Sequence, residues 1–310
     1  MSKILCTGGC GFVGSNLVNK LSKQGHDVVV IDNFSTGKFS NLEKSDKVIC
    51  QSSNINDKLS NFFAFHNFDY VFHLAAFVNL RKSIEQPKKC FDTNILGSVN
   101  LIDLCVKHKV KRFIFSSTGG AIYSPFYPTD GFAWQEDSIL DPQSPYGLSK
   151  MWVEQYLELV NNLYGLNYSI LRYGNVYGPH QNPEGEAGVV SIFLDGMLEN
   201  KTLKMFGTGE QRRDFIYVDD VVDANILMMN ESRNEIYNVG TNSNISVNEV
   251  AVELSQQLGV IPKWQFLSEV KGELFQTKLS YDKLNKATGW FPKTTFSEGI
   301  KKTIEWRESL

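Results

Sequence analysis

A glycine-rich run, Gly8-Gly9-Cys10-Gly11-Phe12-Val13-Gly14, stands between an apolar β-type run at Lys3–Thr7 and a helical pattern over Gly14–Lys23. No other feature constrains the fold of this chain as strongly as that order of strand, turn and helix. Gly9, Gly11 and Gly14 satisfy G-x-G-x-x-G, and Gly8 adds G-x-x-G-x-x-G. Such glycines permit a tight turn and a close approach of backbone to a pyrophosphate at the helix N-terminus. The next strand candidate, Asp27–Ile31, runs into Asp32, 18 residues after Gly14. A carboxylate there accepts both hydroxyls of an adenosine ribose and repels a 2′-phosphate, and no Arg follows until Arg81. The spacing favours NAD over NADP.

β-Branched and aromatic runs then alternate with helical patterns through the first 175 residues. Strands are expected at Lys3–Thr7, Asp27–Ile31, Val48–Gln51, Tyr70–Leu74, Arg112–Ser116 and Tyr168–Arg172. Several are apolar almost throughout, as parallel strands covered on both faces require. Helices fit between them at Gly14–Lys23, Asp57–Phe65, Pro87–His108 and Pro145–Tyr164. The alternation predicts an α/β fold with a Rossmann-type doubly wound parallel sheet. After Asn175 the rhythm breaks. Tyr177–Arg213 is rich in Gly, Pro, Asn and charge, with one helix near Val189–Glu199. Asp214–Val218 and Glu235–Val239 read as strands around a helix at Asp219–Met229, and helices and loops follow from Ser246. Residues 1–176 with about 214–240 are expected to bind NAD, while 177–213 and 241–310 form a smaller, interdigitated C-terminal substrate lobe.

Composition narrows the class of partner. The chain has 310 residues, is 42% hydrophobic and 21% charged, and carries a formal charge of -3. That balance gives no electrostatic reason to expect nucleic acid. Five cysteines (Cys6, Cys10, Cys50, Cys90 and Cys105) are odd in number, scattered and confined to the first half. They fit reduced thiols in a cytoplasmic enzyme rather than a disulfide framework. Cys6 and Cys10 flank the glycine turn, no second Cys/His pair completes a zinc set, and the histidines show no metal spacing. No metal site is expected. Met1-Ser2-Lys3 leads directly into an apolar strand rather than a signal peptide, and no apolar run approaches the ~20 residues needed to span a bilayer.

Tyr146 and Lys150 stand four apart in Ser144-Pro145-Tyr146-Gly147-Leu148-Ser149-Lys150, on one face of the expected Pro145–Tyr164 helix. Pro145 suits the first helical turn and places Tyr146 near the positive end of the dipole. A phenol ordinarily keeps its proton to pH ~10. A neighbouring ammonium, the dipole and a cationic nicotinamide all favour the phenolate, which suits Tyr146 to act as a base near neutrality. A surface helix with an incidental Tyr and Lys has the same pattern.

The larger set of residues resembles a known family. Thr7-Gly8-Gly9, Val30-Ile31-Asp32-Asn33, His73-Leu74-Ala75-Ala76, Ser116-Ser117-Thr118, Tyr146 with Lys150, and Arg172–Pro179 resemble the extended short-chain dehydrogenase/reductases, the sugar-nucleotide epimerases and dehydratases. The resemblance covers nearly the full chain. Ser117-Thr118-Gly119-Gly120-Ala121-Ile122-Tyr123 and Gly185-Glu186-Ala187-Gly188-Val189-Val190 are most similar to the UDP-glucose 4-epimerase branch.

That resemblance implies roles position by position. Gly8, Gly11, Phe12, Val13, Gly14, Asp32 and Asn33 would hold the adenosine and pyrophosphate, with Ser35, Thr36 and Gly37 adding contacts. Asn54 and Ile55 would lie at the adenine; Leu74, Ala75, Ala76, Asn94, Ser116, Tyr173 and Val176 would line the cofactor; and Lys150 would contact the nicotinamide ribose. Thr118 would hydrogen-bond the sugar O4 beside the catalytic Tyr146. Asn175 and Arg213 would grip the UDP diphosphate, with Val189, Val190, Lys204 and Phe206 around uridine. Plainer readings exist for some: Asn94 satisfying backbone groups, Arg213 in a surface ion pair, Phe206 in the core.

The chain departs from the family pattern in three places. Asn54 replaces an acidic adenine contact, and Lys271 stands where a phosphate-binding Arg usually precedes the glycine, substituting at the substrate phosphate as a point charge without the bidentate fork. Ser124–Asp137 is long and aromatic and reads as a surface loop rather than a cap on the sugar. The related dehydratases carry acids immediately after the Thr, whereas Thr118 is followed by Gly119 and Gly120, so elimination lacks its acid/base group. The implied activity is NAD-dependent 4-epimerisation of UDP-glucose and UDP-galactose through a 4-keto sugar. Thr277, five residues after Gly272, is small at a size-limiting position, which extends the expectation to UDP-GlcNAc and UDP-GalNAc. The alternatives are another UDP-sugar 4-epimerase (for UDP-N-acetylglucosamine or UDP-glucuronate), a 4-keto-sugar-nucleotide reductase, or a non-catalytic nucleotide-binding regulator. The family also implies a homodimer through the helices at Pro87–His108 and Pro145–Tyr164. Met151, Val153, Tyr156, Leu157 and Val160 offer an apolar stripe that serves equally as intramolecular core.

Overall fold

Short runs of β-branched and aromatic residues build the centre of the protein in a computed structural model that describes residues 1–125, 132–183, 188–268 and 275–310. In chain order the strands begin with β1 (Lys3–Thr7), β2 (Asp27–Asp32), β3 (Val48–Ser52), β4 (Tyr70–His73), β5 (Arg112–Thr118) and β6 (Tyr168–Tyr173). They continue with β7 (Asn175–Tyr177), β8 (Thr202–Phe206), β9 (Arg212–Arg213), β10 (Phe215–Tyr217), β11 (Glu235–Val239), β12 (Ile245–Ser246) and β13 (Lys263–Leu267). Seven of them form a parallel sheet in the order β11-β6-β5-β4-β1-β2-β3. Strand order reverses between β1 and β4, the place where a doubly wound sheet opens a crevice at its strand ends.

Alternation of side chains explains the nearly continuous apolar strands. Ile4, Cys6, Val28 and Val30 enter one buried cluster, whereas Leu5, Val29 and Ile31 enter another on the opposite face. The first cluster is covered by α1 (Phe12–Lys23) through Leu17, Val18 and Leu21. The second is covered by α6 (Pro145–Tyr164), and Val153, Leu157 and Val160 of the expected stripe are core residues of this face. The exposed large hydrophobic residues of α6 are instead Leu148, Trp152, Leu159, Leu163 and Tyr164.

Between β3 and β6 lie α2 (Ser60–His66), α3 (Leu80–Glu85), α4 (Pro87–Phe91) and α5 (Gly97–Lys107). The helix expected from Asp57 starts later because the Asp57 carboxylate accepts from Asn54 N–H and Ser53 Oγ, closing a turn before it. The single helix expected over Pro87–His108 is interrupted by a π-helical turn at Asp92–Leu96, which carries the buried Asn94. The remaining helices are α7 (Val189–Leu198), α8 (Val218–Leu227), α9 (Val247–Leu258), α10 (Asp282–Thr288) and α11 (Phe296–Glu308). Short two-stranded pairings of β10 with β7, β12 with β9 and β13 with β8 accompany them. The expected strand at Asp214–Val218 is thus β10, outside the large sheet.

The surface-loop reading of Ser124–Asp137 needs correction for its described part. Trp134 is buried, stacks on Tyr123 at 5.2 Å and bridges in parallel to Leu279. Its N–H bonds Lys278 O and its carbonyl accepts from Ser280 N, a long-range pairing invisible to local pattern. Among the described residues no helix is long and apolar enough to cross a membrane, and no group of three or more His, Cys, Asp or Glu could hold a metal ion.

Candidate active site

The glycine turn forms a cradle at the reversal point of the sheet. Gly8 has φ +71°, and a Cβ there would stand 2.7 Å from Ala75 N, so the turn lies directly against Leu74 and Ala75. A Cβ at Gly14 would strike Gly8 O, and one at Gly37 would stand 2.8 Å from the Cys10 carbonyl carbon, which brings the Ser35–Gly37 turn alongside. Asn33 Oδ1 accepts from Ser35 N at 3.0 Å, and Asn33, Ser35 and Thr36 are exposed. At the start of α1, Gly11 brings no side chain to cap the first amides, which belong to Phe12 and Val13. The nearly buried Asp32 accepts Cys10 N–H on Oδ2 at 2.9 Å and Phe34 N–H on Oδ1 at 2.8 Å. Each oxygen accepts one backbone donor and retains capacity for a hydroxyl. Uncapped amides at a positive helix end and an acceptor carboxylate at the end of β2 suit the pyrophosphate and adenosine ribose of NAD.

Other expected cofactor residues occupy different surroundings. Asn54 Oδ1 closes a local turn on Asn56 N, and Ile55 is buried beneath Gly97. Ala76 and Val176 are half-buried, and the Val176 carbonyl accepts from Gln181. Asn94 grips both backbone groups of Phe77, accepting N–H at 2.6 Å and donating to the carbonyl at 3.1 Å; its amide also reaches Ser149 Oγ at 2.9 Å. The plainer reading of Asn94, backbone satisfaction, therefore describes its contacts, yet the backbone is the loop after β4 rather than its own helix.

Pro145 occupies the first turn of α6, as expected, and Ser144 caps the helix by accepting Gly147 N–H at 3.1 Å. Any Cβ at Gly147 would collide with the Ala121 carbonyl, so glycine lets the helix start reach the segment after β5. Tyr146 is half-buried, and its N–H bonds Ser83 Oγ at 3.2 Å. Lys150 is buried; its ammonium donates to Ser116 O at 2.7 Å and rides over the Phe115 ring at 4.7 Å. Ser116 Oγ pairs with Tyr173 OH at 2.9 Å, and burial pushes the Tyr173 phenol up to about 12. Thr118, at the tip of β5, accepts Gly120 N–H at 3.2 Å. A Cβ on Gly120 would lie 3.7 Å from Asn175 Oδ1 and 4.0 Å from Thr118 Oγ1, so these two residues meet across the glycine. At Gly119 the space is filled by Leu279, whose Cδ1 would stand 2.5 Å from a Cβ.

The expected substrate residues divide similarly. Asn175 N–H bonds Asp214 O at 2.6 Å, and the Arg213 guanidinium donates to the carbonyls of Arg212 and Phe275 at 2.9 and 3.2 Å. Val189 and Val190 open α7, Val190 in the core. Lys204 is exposed on β8, and Phe206 lies half-buried under the Arg81 guanidinium at 5.1 Å. Thr277 is buried with its hydroxyl accepting Asp214 N–H at 3.2 Å. Lys271 and residues 185–187 lie outside the described residues.

Two supporting networks escaped the pattern reading. Asp214, fully buried, accepts from Thr241 N, Thr241 Oγ1 and Leu279 N on its carboxylate and from Asn175 N on its backbone carbonyl, so one residue joins β7, the loop after β11 and the segment around Thr277. Burial pushes its carboxyl up to about 6 against those donors. Glu154, buried on α6, accepts Ser117 Oγ and the Arg172 guanidinium, which also donates to Tyr123 OH and Glu136 O. Tyr146, Lys150 and Glu154 recur every four residues on one helix face, a spacing that could have flagged Glu154.

Comparison with known proteins follows the same lines. A model of the NAD dependent epimerase/dehydratase family matches residues 4–240. The UDP-glucose 4-epimerase of Mycolicibacterium smegmatis is 36% identical, covering 98% of each chain. The crystal structure of UDP-glucose 4-epimerase with UDP-glucose from Thermotoga maritima superposes with a TM-score of 0.94 at 42% identity over 99% of each chain. The UDP-N-acetylglucosamine 4-epimerase from Methanobrevibacter ruminantium M1, in complex with UDP-N-acetylmuramic acid, gives 0.93 at 31% identity, covering 99% of this chain and 98% of that one. With its glycine cradle, Asp32 and the Tyr146/Lys150 helix in one doubly wound fold, the chain belongs to the NAD dependent epimerase/dehydratase family.

Proposed function

We propose that the protein is a UDP-sugar 4-epimerase that interconverts UDP-glucose and UDP-galactose, and UDP-GlcNAc with UDP-GalNAc. The observation that carries this reading is the pairing of α6 with the tip of β5. Lys150 is fixed to Ser116, Tyr146 shares its helix face, and Thr118 is followed by two glycines rather than by acids. NAD⁺, when bound, supplies the oxidising power at C4 and returns it as reducing power at the opposite face. Tyr146 takes the proton of the sugar 4-hydroxyl and later gives it back. Lys150 and the positive end of α6 favour the phenolate, and Thr118 holds O4. Asn175 and Arg213 hold the diphosphate while the keto sugar turns, so binding is strong at the nucleotide and loose at the sugar. In this reading residues 1–176 with about 214–240 carry NAD, and 177–213 with 241–310 carry the nucleotide sugar.

Relatives named for UDP-glucose and for UDP-N-acetylglucosamine both share the fold, which supports the wider sugar range. The test is NMR of purified protein, with no added NAD, mixed separately with UDP-galactose, UDP-GalNAc and UDP-glucuronate. Equilibration of the first two is expected. Conversion of UDP-galactose without UDP-GalNAc would remove the hexosamine assignment, and conversion of UDP-glucuronate alone would replace it. We also assign a homodimer formed through Leu148, Trp152, Leu159 and Leu163 of α6, exposed at the surface, in a reducing cytoplasm where all five thiols are free. Sedimentation at a single chain mass would exclude the dimer.

A further inference from the structure

Two thiols meet beneath the dinucleotide turn. Cys10 lies between Gly9 and Gly11 and is fully buried, while Cys50 is half-buried on β3, an edge strand of the large sheet. Their sulfurs are 3.5 Å apart across 40 residues of sequence. The same Cys10 shapes the cofactor cradle with its backbone. Its N–H bonds the Asp32 carboxylate at 2.9 Å, and its carbonyl accepts Lys38 N–H at 3.0 Å and Asn41 Nδ2 at 2.9 Å.

We propose that Cys10 and Cys50 close a reversible disulfide that disables the NAD site, with a hydroperoxide as oxidant. Cys50 is the attacking partner because solvent reaches the edge strand. The Cys10 thiol, hydrogen-bonded to the Cys50 sulfur, holds Cys50 below the usual thiol range and keeps its own proton; burial and the Asp32 charge push Cys50 up, more weakly. The Cys50 thiolate attacks one peroxide oxygen and the O–O bond breaks. Sulfur is oxidised to a sulfenic acid, and the departing hydroxide (an alkoxide, for an organic peroxide) takes a proton. Cys10 sulfur then displaces hydroxyl from Cys50 sulfur; the S–S bond forms, and water leaves with the Cys10 proton. Two electrons pass from the sulfurs to the peroxide.

An S–S bond is about 2.0 Å long, so the sulfurs must close by roughly 1.5 Å. The turn is drawn toward β3, and the three backbone bonds of Cys10 that set Asp32 and the Lys38–Asn41 segment are strained together. A dithiol reductant reverses the change.

The enzyme carrying its bound NAD is treated with hydrogen peroxide, assayed for activity and NAD content, and digested with trypsin without reduction. The expected product joins peptide 4–20 to peptide 48–58 through Cys10 and Cys50 with the loss of two hydrogens. NAD affinity falls at least about tenfold, and dithiothreitol restores it. Cys50→Ser, with Cys50→Ala as a second variant should Ser fold poorly on the strand, keeps its untreated activity and resists peroxide. The proposal is overturned by absence of the joined peptide, by a joined form with unchanged NAD affinity, or by equal inactivation of the Cys50 variants.

Discussion

The Lys150 ammonium donates to the Ser116 carbonyl oxygen at 2.7 Å, so the backbone of β5 fixes where the lysine charge sits relative to the helix that carries Tyr146. Replacing Tyr146 by Phe removes the proposed proton carrier and leaves this anchor intact. Turnover is expected to fall by at least about 10²-fold with NAD content unchanged. Lys150→Met is expected to lower kcat comparably. Activity at the wild-type level in Tyr146→Phe would take Tyr146 out of the mechanism.

Asn94 ties the loop after β4 to α6 through Phe77 and Ser149. Asn94→Ala leaves those polar groups without their partner, at a cost of about 1–3 kcal/mol. Urea denaturation measures the loss, and a midpoint equal to wild type would show that the clasp is dispensable.

The Arg172–Glu154 pair is buried on both sides, with Nη2 to Oε2 at 2.6 Å. Arg172→Met strands a buried carboxylate and is expected to cost about 3–5 kcal/mol. Glu154→Leu combined with Arg172→Met should cost less than the sum of the single changes, because neither charge is then left alone. Additive losses in thermal denaturation would argue against coupling.

Asp214 is purely an acceptor toward Thr241 and Leu279. In Asp214→Asn the amide must face at least one of those N–H donors, which loosens the segment that carries Thr277 and the strand end at Asn175. KM for the UDP-sugar is expected to rise about tenfold with NAD content unchanged, equivalent to about 1.4 kcal/mol of lost binding. Loss of NAD instead would place the effect at the cofactor cradle.

His73 bonds Thr7 Oγ1 at 2.7 Å and Ser98 Oγ at 2.9 Å, so its neutral ring joins β1, β4 and α5. Burial, with the Lys150 charge second, lowers its pKa to about 3 from 6.5. The folded state therefore binds fewer protons than the unfolded one between these values. The stability His73 contributes is complete above pH 6.5 and is lost as pH falls toward about 3, at roughly 1.4 kcal/mol per unit. His73→Gln is expected to flatten the decline of Tm below pH 6.5, and parallel slopes would exclude His73 as its source.

Local periodicity and turn chemistry were enough, in the sequence, for the parallel sheet, the glycine turn, the carboxylate at the end of β2 and the 20-residue helix that carries Tyr146 and Lys150, whose bounds match the pattern. Those features depend on residues within a few positions of one another. Only the tertiary structure decided that Asn94 spends its side chain on Phe77, that Trp134 is core beside Leu279, and that Asp214 gathers three segments. It also assigned Val153, Leu157 and Val160 to the interior, and brought Cys10 to Cys50. Each of these rests on contacts between residues far apart in the chain, where buried polar groups must find partners and close packing selects the neighbours.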